Sequence, residues 1–219
     1  MTVTQLLSDP RAALGGEPTG VEKRRVLAVV LTTGLVPTLA GVAGVVVLLA
    51  GQFGPGFLAF VALVTLLVGA GMAVGSWLLW AGALFALGRL LGGEGTFRSL
   101  LFDVGWGFLP RVLSATVGAV PSLLALDGLE PVTVDVGADP QAFGRAIGES
   151  LAAGSPGTAV SVTAWVVALL ALFASAYLWT VAVEENLHLP TDRAVLATGL
   201  PVLVSVLVRV AFGLAPLLG

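Results

Sequence analysis

Five stretches of this chain are too apolar and too long to be solvated by water. They run from Val26 to Ala50, Phe57 to Leu91, Phe97 to Leu126, Ala159 to Val183 and Ala194 to Leu218. The first contains no charged residue at all. A helix needs about 20 mainly apolar residues to cross the hydrocarbon core of a bilayer. Every backbone polar group must then be satisfied inside the segment, which selects helices. Hydrophobic residues make up 57% of the chain and charged residues 11%. Soluble domains average about 45–50% and about 25%. The expected fold is all-α, a polytopic membrane helix bundle with about five transmembrane helices.

The second run is too long for one upright span at about 1.5 Å per residue. No charged or turn-rich break divides it, so it reads as one long helix that tilts, or bends near Gly69 to Gly71. A Gly54-Pro55-Gly56 turn precedes it. Pro37, Pro110, Pro121 and Pro201 lie in or beside the runs. Membrane helices tolerate such prolines when neighbours satisfy the freed carbonyls.

Lysine and arginine set the orientation. Arg11, Lys23, Arg24, Arg25, Arg89, Arg98 and Arg193 fall on one side of a five-span layout, and Arg145 on the other. The first side is expected to be cytoplasmic, with the N-terminus inside and the C-terminus outside, in the plasma membrane. Residues 1–25 form the cytoplasmic N-terminal segment, and 26–219 a single transmembrane domain. The first twenty residues are polar, unlike a signal peptide. Within them Asp9-Pro10 reads as N-cap and first helical residue. Leu6, Leu7, Ala12, Ala13 and Leu14 give an amphipathic helix on the membrane interface. In the outer segment 127–158, Phe143, Ile147 and Leu151 recur on one face of a helix begun by Asp139-Pro140 and ended by Gly154 to Pro156. Pro131 to Val136 reads as a short extended piece.

The chain has no cysteine and one histidine, His188, so thiol chemistry and a multi-histidine metal site are not expected. A net charge of −3 argues against a nucleic-acid partner. No phosphate loop or nucleophile–base pattern occurs, and no cofactor, metal or enzymatic activity is expected. Arginine far outnumbers lysine, Lys23 being alone. With abundant Ala, Val and Gly and an acidic balance outside the apolar runs, this points to a GC-rich, salt-adapted source.

Between the second and third runs stands Leu87-Gly88-Arg89-Leu90-Leu91-Gly92-Gly93-Glu94-Gly95-Thr96-Phe97-Arg98. This resembles the loop after the second span of the Yip family, membrane proteins named for interaction with Ypt/Rab GTPases. Gly92, Gly93, Gly95, Phe97 and Arg98 carry the likeness. Val104 to Pro110 is similar to the start of that family's third span, and Arg193 to Ala197 with Pro201 to the start of its last. The Leu6 to Pro10 prelude also fits. The resemblance covers roughly residues 5 to 215, with a bulkier outer segment than the family implies. It implies vesicle traffic and membrane organisation in eukaryotes, and no settled activity in prokaryotes. The composition suits a prokaryotic, haloarchaeal-type member, which has no Rab cycle.

Three charges within the runs stand out, because an Arg or Asp at a span centre costs about 2.5–3.5 kcal/mol on insertion scales. Arg111 and Arg209 are candidate contacts for an anion or lipid headgroup, or else snorkel toward the acidic outer segment (Asp127, Glu130, Asp135, Asp139, Glu149). Asp103 pairs with Arg98 or Arg89, or caps nearby backbone. Glu184, Glu185 and Asn186 read as a solvated loop. Gly71, Gly75 and Gly82 on the second span and Gly34 and Gly41 on the first are candidate helix-packing faces. The expected function is a non-enzymatic Yip-type membrane organiser or scaffold acting through protein or lipid contacts. Its partners are membrane lipids and a membrane protein or a second copy. The alternative is a small-solute or ion transporter or channel built on Arg111, Arg209 and Asp103.

Overall fold

A computed structural model describes residues 3–16, 18–129, 131–132, 141, 145–146, 148–150 and 158–218. Among these residues the fold is helical and without strands: α1 Val3–Ser8, α2 Pro10–Ala13, α3 Gly20–Leu49, α4 Pro55–Leu90, α5 Phe97–Trp106, α6 Leu109–Leu124, α7 Thr158–Leu187 and α8 Thr191–Leu218. A 3-10 turn, Ala125–Gly128, extends α6. Five helical segments are long and apolar enough to cross a membrane.

Local chemistry sets the ends. Thr19 and Glu22 form a reciprocal capping box, the Thr19 N–H donating to Glu22 Oε2 at 2.8 Å and the Glu22 N–H to Thr19 Oγ1 at 3.3 Å. α3 therefore starts six residues before the apolar run, and Lys23 to Arg25 are helical. α4 is one unbroken helix. It closes in a Schellman motif: Gly92 takes the left-handed φ of +91°, and the Gly93 N–H reaches back to the Gly88 carbonyl at 2.9 Å.

The third run differs from expectation. It is not one helix from Phe97 to Leu126 but two, because Pro110 has no N–H to donate to the Trp106 carbonyl. The chain turns at Gly107-Phe108, and Pro110 sits in the first turn of α6, where proline fits. α5, at about 15 Å, is too short to span.

The helices sort into two compact units. One comprises Met1–Leu31, Val74–Val112 and Leu169–Gly219, the other Thr32–Ala73 and Leu113–Ala168. In the first, Leu6 and Leu14 are fully or almost fully buried. Leu6 and Leu14 of the amphipathic start thus pack into protein. Asp9 does cap α2, accepting from the Ala12 N–H at 3.2 Å, with Pro10 next.

In the second unit α3 and α4 touch through small residues, with the expected Gly34 on α3 but a face of α4 other than the expected one. A Cβ at Gly34 would come within 2.6 Å of both the Gly69 carbonyl oxygen and Ala73 Cβ. Gly69 lies against the Thr38 side chain, whose hydroxyl donates to the Gly34 carbonyl at 2.6 Å. At Gly41, Gly71, Gly75 and Gly82 a Cβ would meet nothing within 4 Å. Two residues along a helix rotate the side chain by about 200°, so a motif shifted from 69/73 to 71/75 faces away. The Val132 N–H donates to the Leu48 carbonyl at 2.9 Å. Phe143, Ile147, Leu151 and the stretch 133–140 lie outside the described residues, and with them the apolar face of the expected outer helix; residues 141, 145–146 and 148–150 are helical.

Large apolar side chains of α4 remain exposed, among them Phe60, Leu67, Met72 and Leu79. Lipid solvates such a surface. The contact between α3 and α4 gives a test by thermal melting in detergent. Gly34→Ala should destabilise by about 1–3 kcal/mol, because backbone stands where the methyl must go. Gly71→Ala should be neutral or stabilising, since alanine favours the helix by about 0.5–1 kcal/mol. The reverse ranking would place the packing face where the sequence motif has it.

Candidate functional site

The first unit gathers the polar chemistry, and α5 organises it. Thr96 caps α5, accepting from the Ser99 N–H at 3.3 Å, and Phe97 sets its ring edge-on to Phe85. From Asp103 to Phe108 every residue is buried. Two indoles hold this segment by its carbonyls: Trp77 Nε1 donates to Leu101 at 2.8 Å, and Trp179 Nε1 to Val104 at 2.9 Å. Val104 lies in the last turn of α5, and its carbonyl also accepts from the Gly107 N–H at 3.1 Å. At Gly107 any side chain would collide with the Trp179 indole.

Asp103 is the hub of the N-terminal segment. Its Oδ2 accepts from the Gly15 N–H and from Asn186 Nδ2, both at 2.8 Å. The expected arginines go elsewhere: Arg89 Nη1 donates to the Gly93 carbonyl at 3.1 Å, and Arg98 is exposed. Asp103 lies on α5, outside the five spans. Burial pushes its carboxyl above the ordinary carboxylate range, against the lowering effect of the Asn186 and Gly15 donors. Asn186 also donates to the Ala182 carbonyl, while its Oδ1 is buried without a hydrogen-bond partner.

Around this hub three chain segments are stitched together. Arg11 Nη2 reaches both carboxylate oxygens of Glu184, at 3.0 and 2.9 Å, and the Thr191 hydroxyl donates to Glu184 Oε1 at 2.6 Å. The Glu94 N–H donates to the Leu187 carbonyl at 2.8 Å, and Arg193 Nη1 to Leu91 at 3.0 Å. The glycines of the 92–95 loop permit this approach: a Cβ on Gly95 would strike the Asn186 carbonyl oxygen, and one on Gly93 would lie 3.0 Å from Leu187 Cβ. Asn186, Glu184 and Arg11 were not legible as partners, because they stand 83 and 173 residues from the groups they bind. The only signal was polar residues closing an apolar run.

Arg111 is the third residue of α6, not a mid-span residue of one long helix. Its guanidinium faces three rings: Phe108 at 5.0 Å, Trp179 at 5.4 Å and Trp80 at 5.6 Å from the centroids. All three rings are buried, and Trp80 stacks on Trp179 at 4.3 Å. Trp80 and Trp179 sit ten and eight residues before the ends of their helices, about 15 and 12 Å in. The Arg111 side chain thus lies among rings of its own unit. Arg209 is exposed on α8. Among the described residues no three His, Cys, Asp or Glu side chains converge as metal ligands.

The hub makes the N-terminal segment's docking depend on one carboxylate. Because the chain has no cysteine, Leu6→Cys supplies a single buried thiol. Maleimide should label it slowly in the otherwise native protein and at least several-fold faster when Asp103→Ala is added. Equal rates would mean that Gly15 and Asn186 are held without Asp103.

The Yip1 domain family model matches residues 5–212, nearly the whole chain and all five apolar helices. No curated protein and no solved structure matches it. With its five apolar helices and a Yip1 domain spanning them, the chain belongs to the Yip1 family of multi-pass membrane proteins.

Proposed function

We propose that this protein is a non-enzymatic organiser of the cell membrane, acting through protein or lipid contacts on one polar face. The face is made by the N-terminal segment, the 92–96 loop and the α7–α8 turn. The observation that carries the reading is their mutual fastening: Arg11 to Glu184, Gly15 to Asp103, Glu94 to Leu187 and Arg193 to Leu91. A surface locked before it meets a partner loses little conformational freedom on binding. Arg24, Arg25, Arg89, Glu94, Arg98, Asp192 and Arg193 are exposed on these segments or beside them, and offer charge to a partner. The bias of Lys and Arg supports a cytoplasmic position for this face, with the C-terminus outside.

Two measurements test the reading. A photo-crosslinking residue at position 94 or 98, used in native membranes and followed by purification and mass spectrometry, should capture a protein in near-stoichiometric amount. Recovery of the chain alone, or with nothing but lipid, would remove the scaffold role. For the orientation, Glu94→Cys should react with an impermeant maleimide only after the cells are opened; labelling of intact cells would invert the topology.

A further inference from the structure

We propose that a groove between α6 and α7 binds a neutral lipophilic ligand carrying a hydroxyl, which donates its hydrogen bond to the Val117 carbonyl. The groove belongs to the second unit. It goes beyond the organiser reading and uses none of the residues that carry it.

A cavity of about 320 Å³ lies between the two helices, lined by Val117, Val120 and Pro121 of α6 and by Val160, Thr163 and Ala164 of α7. Sites for small molecules enclose about 300 to 1,000 Å³, so this one takes a ligand of modest size. Pro121 is buried, whereas Val120 and Val160 are exposed. Leu123, Leu124 and Val162 beside them are exposed too, and extend an apolar surface around the cavity. The groove therefore opens toward hydrocarbon, and a ligand reaches it from the lipid.

One backbone group in its wall needs a donor. Pro121 lies inside α6 and has no N–H, so the Val117 carbonyl lacks the donor that a helix supplies four residues on. The proline ring also crowds that carbonyl off the helix axis. Residues one turn apart share a helix face, and Val117 and Pro121 both line the cavity. The gap in the ladder thus stands in the groove wall. Leu109–Gly128 is 20 residues long, about 30 Å, which matches the thickness of a hydrocarbon core. Val117 lies eight residues past Leu109, near the middle of that length, where water is absent and a carbonyl without a donor is costly.

These features specify the ligand's chemistry. Among the described lining residues none is charged, and Thr163 alone is polar. An ionised group brought here would lose its hydration with no opposite charge in the lining to pair with it. A carbonyl accepts and cannot donate, which selects an O–H over an ether, ester or ketone oxygen. The rest of the ligand is hydrocarbon, packed on the valines and on Ala164.

The full-length protein, purified in detergent, is offered farnesol and farnesyl methyl ether at equal concentration, and native mass spectrometry reads the ratio of the two complexes. Farnesol should be preferred by about two- to tenfold, the worth of one neutral hydrogen bond. Pro121→Ala restores the N–H and with it the helical bond to Val117. Both ligands should still bind that variant, but the alcohol no better than the ether. Ala164→Leu, which fills the groove, should suppress both complexes alike, and thermal melting checks that it is folded. If it melts early, the Pro121→Ala comparison decides alone. Equal binding of alcohol and ether to the unmodified protein, a preference that survives Pro121→Ala, or binding indifferent to a folded Ala164→Leu variant would overturn the site.

Discussion

Hydrocarbon offers no hydrogen bonds, and that condition shapes the first unit. A long helix meets it unaided, since each carbonyl finds a donor four residues on. α5 ends after ten residues at Pro110, and its last turn closes with three-residue bonds, the Gly107 N–H donating to Val104 and the Phe108 N–H to Gly105, both at 3.1 Å. Trp179 adds a second donor to the Val104 carbonyl, and Trp77 one to Leu101 in the middle of α5. Each indole fills space with its ring and closes a bond with its N–H, which an aliphatic residue cannot do. Gly107 is small because the Trp179 indole comes so close. The stack of Trp80 on Trp179, and through it the cage around Arg111, rests on the same bond.

The polar groups follow a comparable logic at the end of α7. Asp103, Asn186 and the Gly15 N–H form a small buried network in which one carboxylate oxygen serves two donors. Such a network fixes geometry because each member loses a partner if another moves. The Schellman turn at Gly92 and Gly93 places Glu94 so that its N–H meets Leu187, and Gly95 lets the Asn186 carbonyl pass. The loop carrying the family likeness is therefore a fitted part, its glycines set by backbone approaching backbone.

Much of the architecture was legible because its cause is local. Five apolar runs and the unbroken course of 57–91 come from hydropathy and length, which the chain displays directly. What the sequence concealed depends on phase or on distance. Pro110 was in view, yet the break at Gly107 was lost in an apolar stretch that continues on both sides. The small residues of α4 were recognised, but the face that meets α3 is that of Gly69 and Ala73, rotated from Gly71 and Gly75 by two positions. Leu6 and Leu14 were read as membrane-seeking, since an amphipathic pattern does not say whether lipid or protein covers it. Asp103 was given nearby arginines, whereas its partners come from Gly15 and Asn186. The ring partners of Arg111 were not legible, because Trp80 and Trp179 come from α4 and α7 and Phe108 from the turn between α5 and α6.

The fastening of the N-terminal segment has a consequence for biosynthesis. Arg11 and Gly15 leave the ribosome well before the groups they bind: Arg11 must wait for Glu184 and Gly15 for Asp103, which itself binds Asn186. Segments emerge and fold in N-to-C order, and a contact forms only when both partners exist. The N-terminal segment is therefore born without its seat. It takes its place only after the fourth apolar helix has been made, so that a segment synthesised ahead of all five apolar helices settles only when four of them exist.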